Sequence, residues 1–305
     1  RVEPDPSLRL VAQGARQMAA FRPDALVAFG GGSPMDCAKA MVEFGRSLWD
    51  GPRPRFYAVP TAAGTGSEVT SFAVLTDTDR GVKYPLVDDA LLPDAAVLDA
   101  SLLAGVPPSV TADTGMDVLT RAAEAYVSNR ASPFTDALAE KAFVLAYGSL
   151  KEAYAASRES PAKERMLLAS CMAGMAFNAG GLGISHALAH ALGGKFHVPH
   201  GRLNALLLPR VIRFNAAHPA AGEKYGRLAK LCGLAGNARA LAGALERLRL
   251  SLKLPDKLTA CGVDADAFTA ALDGVAEAAL QDVCAPSNPR TAAAEDLKAL
   301  LKELV

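Results

Sequence analysis

Hydrophobic positions change their period along this chain, and the change divides it. Residues 24–30 (DALVAFG) and Arg55–Pro60 are short apolar runs of strand type. Ser71–Thr78 reads as a strand and turn, and Ala95–Leu98 as one more buried strand. Between the first two runs, Met35, Ala38, Met41 and Val42 recur at helical spacing. Ser33 suits the N-cap of that helix and Pro34 its first position. Strands alternating with helices predict a parallel α/β sheet, with ligands at the strands' carboxyl ends.

Beyond Pro107-Pro108 the strand signals stop. Helical periodicity follows over Pro108–Ser128, Phe134–Ala156, Ala162–Asn178, Leu203–Asn215, Gly222–Cys232, Ala238–Leu250 and Thr291–Leu304. The expected organisation is α/β followed by all-α, with residues 1–106 as a dinucleotide-binding domain and 107–305 as a helical domain. The Val106–Pro108 region is the boundary.

Composition narrows the function. Half of the 305 residues are hydrophobic and 21% are charged, which suits a large buried core. Lys plus Arg equals Asp plus Glu at 32 each, with no basic block, so neither nucleic acid nor an anionic membrane is an expected partner. No apolar run approaches the roughly 20 residues of a membrane span. Five scattered cysteines with no C-x-x-C pair suit a reducing compartment.

Four of the five histidines fall within Gly183–Gly201: His186, His190, His197 and His200. On a helix, His186 and His190 share a face. Gly193 and Gly194 are expected to end that helix, and Pro199 to turn His200 back toward the first two imidazoles. A lone histidine is commonly a hydrogen-bonded core residue, whereas a cluster in a chain otherwise nearly free of histidine points to a divalent metal. Asp117, read as lying at a helix start with Arg121 one turn later, is by itself most often a dipole-stabilising carboxylate, and beside the histidine cluster it becomes a candidate ligand. The GGGS turn after the first strand reads both as a tight turn and as a phosphate cradle. TAAGTGSEVT (61–70) leaves room for a ligand, and Lys83 is either a phosphate contact or a solvated lysine.

GGGSPMDCAK, PTAAGTGSEVT, GMDVLTRAAEAY, GISHALAH and HVPHGRLNALLLP, in that order, resemble the iron-containing (group III) alcohol dehydrogenase family. FTDALAEKA, CMAGMAF, VIRFN and NPR are most similar to its ethanolamine-utilisation and propanol dehydrogenase branch. The resemblance implies a nicotinamide cofactor, NAD with NADP left open, bound by Gly31, Gly32, Ser33, Thr61, Gly64, Thr65 and Lys83. It implies Asp117, His186 and His200 as ligands of Fe2+, for which Zn2+ or Mn2+ can substitute, and His190 near the nicotinamide as a proton relay. It further implies short-chain primary alcohols or aldehydes as substrates, a homo-oligomer (a dimer), and a cytoplasmic address with a bacterial microcompartment as a further one.

Two departures stand out. Arg121 occupies the position of the family's fourth ligand, a histidine. The family's first strands, which discriminate NAD from NADP, have no counterpart here. Arg121 opens an alternative, a metal-free reductase in which the guanidinium polarises the carbonyl; a degenerate nucleotide-binding homologue is another. A His-site metallohydrolase would need an H-E-x-x-H helix, and there is none.

Overall fold

The structure, a computed structural model, describes the chain apart from residues 1, 4, 49, 50, 80 and 81; the side chains of residues 82–84 also lie outside the described set. The first third holds α1 (Leu8–Phe21), β1 (Ala25–Gly30), α2 (Gly32–Gly45), β2 (Arg55–Pro60), β3 (Phe72–Asp77), β4 (Val82–Val87) and β5 (Ala95–Ala96). β1, β2 and β5 form a parallel sheet in the order β1-β2-β5, with Ala25 opposite Arg55 and Tyr57 opposite Ala95. Alternation decides which face is covered. Ala28 and Phe56 join Met18, Met35, Ala38, Val42 and Ala58 in one buried cluster, while Val27 and Phe29 on the other face of β1 are each 59% exposed.

The sheet is not wholly parallel as predicted from the sequence. β3 and β4 pair antiparallel as a separate two-stranded sheet, with Phe72 opposite Val87 and Asp77 opposite Val82. β4 was not predicted as a strand; Pro85 interrupts its apolar run, and a proline is tolerated in a two-stranded ribbon because both strands have a free edge.

The remaining two thirds are helical: α3 (Pro108–Val127), α4 (Pro133–Ala155), α5 (Pro161–Gly180), α6 (Ile184–Phe196), α7 (His200–Asn215), α8 (Pro219–Leu231), α9 (Ala238–Ser251), α10 (Ala265–Leu280) and α11 (Ala294–Lys302). Serines start two of them: Ser132 accepts from Thr135 N–H in a capping box, and Ser160 accepts from Lys163 N–H. One core runs through α3, α4, α5, α8 and α9 (Leu119, Phe143, Leu167, Tyr225), and a second through α6, α7, α10 and α11 (Leu188, Leu206, Phe268, Leu301). Among the described residues no single helix is long and apolar enough to cross a membrane.

Two helices escaped the sequence reading. α1 buries only Val11, Ala15 and Met18, and α10 is alanine-rich with Phe268 and Val275 as its bulky core residues, so their apolar stripes are thin. Two helix ends also differ. α6 continues through Gly193 and Gly194, and His197 ends it in left-handed backbone (φ +56°), donating its N–H to Gly193 O at 3.0 Å. The cap of α2 is Gly31 rather than Ser33, with no side chain on the first-turn N–H groups.

Candidate active site

Three helices deliver the polar cluster. Asp117 lies in the middle of α3, not at a helix start, so a dipole role does not apply to it. His186 sits in the first turn of α6, and His200 is the first residue of α7. Gly201 makes this possible: a Cβ there would stand 2.1 Å from Asp113 O, so only glycine lets the start of α7 close on α3. His186 Nε2 and His200 Nε2 each lie 3.5 Å from Asp117 Oδ1, and the three donor atoms fall within 4.8 Å of one another.

Two residues that the sequence reading missed hold this geometry. Glu124, buried two turns beyond Asp117 on α3, accepts from His186 Nδ1 at 2.6 Å, Gly183 N–H at 2.9 Å and Ser185 N–H at 2.6 Å. One carboxylate therefore caps α6 and turns His186 Nε2 toward Asp117. Its signal was the seven-residue spacing from Asp117, which keeps both on one helix face. Asn204, one turn after His200, donates Nδ2 to Asp117 Oδ1 at 2.7 Å, and that nitrogen lies 3.1 Å from His200 Nε2 and 3.4 Å from His186 Nε2. Its Oδ1 is buried without a partner.

Electrostatics follow from this packing. Burial alone would raise the Asp117 pKa, but the Arg121 charge, helped by His200 and His186, drives it far below the ordinary value. His186 is raised: burial works against its charge, and the Glu124 and Asp117 carboxylates outweigh burial. His200 is held well below the usual imidazole range by desolvation, with His190, His186 and Arg121 adding to it against the pull of Asp117.

Arg121, 9% exposed, donates from one terminal nitrogen to Asp117 Oδ2 at 2.8 Å and from the other to Gly64 O at 2.5 Å, and its guanidinium carbon is 5.3 Å from the centre of the Phe177 ring. The guanidinium thus holds Asp117 Oδ2, while His186 and His200 meet Oδ1. His190 stacks on His200, ring centres 5.2 Å apart, and its Nδ1 lies 2.9 Å from Asp282 Oδ2. Burial opposes charge on Asp282, yet the hydrogen bond and charge of His190 bring its pKa down to about 2.

The first third of the chain approaches the same region. The turn at Gly31, Gly32 and Ser33 ends β1 and opens α2, and Thr61 follows β2 with its N–H on Gly30 O at 2.9 Å. A Cβ on Gly32 would meet Thr65 Cγ2 at 2.7 Å, so the two loops touch. Gly64 is packed as tightly on α3, where a Cβ would meet Thr114 Cβ at 2.7 Å. Behind them, buried Lys39 donates to Thr70 O and Phe72 O, both at 2.7 Å, and Asp36 accepts from Ser67 Oγ at 2.7 Å and Val74 N–H at 3.0 Å. The Lys83 side chain lies outside the described residues.

The donor set fits a divalent transition metal at three positions: one carboxylate and two imidazole nitrogens converge on a point where Asn204 places an N–H. A fourth protein donor is not available from Arg121, which has no lone pair to give.

Two family models match the chain, iron-containing alcohol dehydrogenase over residues 1–100 and the C-terminal part of the Fe-containing alcohol dehydrogenase family over residues 111–305. The chain belongs to the iron-containing alcohol dehydrogenase family. It is 48% identical over 311 residues to the 1-propanol dehydrogenase PduQ of Salmonella typhimurium, spanning all of this chain and 84% of that one. A solved 1,3-propanediol oxidoreductase superposes with a TM-score of 0.93 at 38% identity, covering 100% of this chain and 83% of that one. The sulfoacetaldehyde reductase of Bifidobacterium kashiwanohense, solved in complex with NAD+, superposes with a TM-score of 0.90 at 29% identity over 99% of this chain and 82% of that one. The α/β-then-helical organisation read from the sequence is that of these iron-containing family members.

Proposed function

We propose that this chain interconverts short-chain primary alcohols and their aldehydes by hydride transfer with a nicotinamide cofactor, NAD in the first instance. In oxidation, the carbinol carbon gives a hydride to nicotinamide C4 and the hydroxyl gives up a proton; reduction reverses both. The observation that carries the reading is the convergence of Asp117, His186 and His200 beside His190 and next to the two glycine loops.

In this reading Asp117, His186 and His200 hold a divalent metal, iron first. When bound, the metal supplies Lewis acidity toward the substrate oxygen. The chain's own residues do the rest. The uncapped first turn of α2, with Gly31, Gly32 and Ser33, offers N–H groups and the positive helix end to the pyrophosphate. Thr61, Gly64 and Thr65 would line the nicotinamide side. Glu124 and Asn204 fix the imidazole and carboxylate orientations. With Nδ1 held by Asp282, His190 keeps Nε2 for the substrate proton and relays it outward.

The division into residues 1–106 for cofactor and 107–305 for metal and substrate belongs to this proposal, supported by family matches that leave a gap between residues 100 and 111. So do a homodimer and a cytoplasmic location that extends to a bacterial microcompartment. The test is NADH oxidation with propanal by the purified, iron-loaded chain. Turnover that disappears in His186→Ala is expected; turnover unchanged by that substitution would refute the assignment.

A further inference from the structure

Asp117 supplies the one negative charge of the three-donor set, and that charge is already taken. Its Oδ2 receives Arg121 at 2.8 Å and its Oδ1 receives Asn204 at 2.7 Å. A guanidinium stays protonated at any working pH, so Arg121 is a permanent cation on the carboxylate that a dication needs.

The side chain also has nowhere to go. Its other terminal nitrogen is tied to Gly64 O at 2.5 Å, Phe177 lies against it, and it is 9% exposed. Position 121 is one helical turn from Asp117, which keeps whatever stands there on the same face of α3. Its Nε is buried without a partner, so the guanidinium is confined by its neighbours and by two hydrogen bonds.

We propose that Arg121 is a built-in competitor for the metal, leaving this chain with a weak, exchangeable divalent-cation centre that favours nitrogen-preferring ions. The proposal rests on the reading of Asp117, His186 and His200 as the metal site. A cation approaching Oδ1 meets a fixed positive charge on the other oxygen of the same carboxylate, in surroundings that water screens poorly. With the carboxylate neutralised, the two imidazoles carry the affinity. Zinc and ferrous iron are therefore retained better than manganese or magnesium, which prefer oxygen donors. The Asp117–Arg121 pair also satisfies the carboxylate when no ion is bound, so the fold does not depend on the metal.

The experiment uses the full chain, stripped with a chelator and then titrated with Zn2+ against a chelating dye, with melting curves recorded with and without EDTA. Wild type is compared with Arg121→Gln, Arg121→His, Arg121→Lys and Arg121→His combined with His200→Ala. The expected results are weak binding and an EDTA-insensitive melting temperature for the wild type, and no gain for Arg121→Lys. Arg121→Gln should bind at least about tenfold tighter, because it removes the charge. Arg121→His should be tighter still, with an EDTA-sensitive melting temperature, and His200→Ala should cancel its gain. One tightly held equivalent in the wild type, with no gain in Arg121→Gln or Arg121→His, overturns the proposal. If no variant binds zinc and His200→Ala changes nothing, the three donors are not a metal site, and the reading beneath the proposal falls with it.

Discussion

Glu124 Oε2 and His186 Nδ1, carried on α3 and α6, stand 2.6 Å apart, and the same carboxylate accepts the N–H groups of Gly183 and Ser185. Position and function are thereby joined in one residue. Glu124→Ala leaves three buried donors without their acceptor, each worth about 1–3 kcal/mol. The expected outcome is a loss of roughly 3 kcal/mol or more in chemical denaturation and about 10- to 100-fold weaker zinc binding. Unchanged stability and metal affinity would show that another group orients His186.

The cofactor turn yields a separate test. Any Cβ at Gly32 meets Thr65 Cγ2 at 2.7 Å and stands where the pyrophosphate is expected. Gly32→Val should weaken NADH binding by about tenfold or more, on the order of 1.4 kcal/mol. Fluorescence titration of NADH reads this directly, and an unaltered curve removes the turn from the site.

How much of this was legible beforehand is best judged from particular residues. The strands at 25–30 and 55–60 and most helices of the second half follow from period alone, because long apolar stripes have few alternatives. Asp117, His186 and His200 could be named through their motifs, and the structure brings them together. Asn204 could not, since an asparagine on a helix looks like an ordinary polar position until its partner from another helix is known, and the seven-residue spacing of Glu124 from Asp117 places it on the right face without naming its partner. The close of α7 on α3 at Gly201 is equally invisible in sequence, being a contact between residues far apart in the chain. Arg121 was visible as an oddity, but its grip on Gly64 O, which links the 61–70 loop to the carboxylate, needed coordinates.

Asp282 predicts a pH dependence. Its pKa is about 2 in the folded chain and roughly 3.9 when unfolded, so the carboxylate adds stability above pH 4 that is lost as pH falls through that window. The contribution is about 2 kcal/mol. Asp282→Asn should be less stable than the wild type at pH 6, and the two should converge near pH 2. Parallel acid-denaturation curves would contradict the pairing with His190.

His190 differs in kind from Asp117, His186 and His200. It touches them by stacking on His200 and hydrogen-bonds outward to Asp282. His190→Ala is expected to keep its zinc affinity while kcat falls about 10²- to 10⁴-fold, the range of a lost acid–base catalyst, with an altered pH profile. Loss of zinc in this variant would make it a ligand instead of a relay.

In the proposed function, Asp117, His186 and His200 form the metal centre of an alcohol dehydrogenase. The most direct measurement strips the purified chain of metal, adds back Fe2+ in steps, and follows NADH oxidation with propanal in wild type and in His200→Ala. Activity that rises with added iron and saturates in the wild type, and stays absent in a His200→Ala protein of native circular dichroism, is the predicted result. Full turnover by the stripped wild type, or iron-dependent turnover restored in His200→Ala, would contradict it.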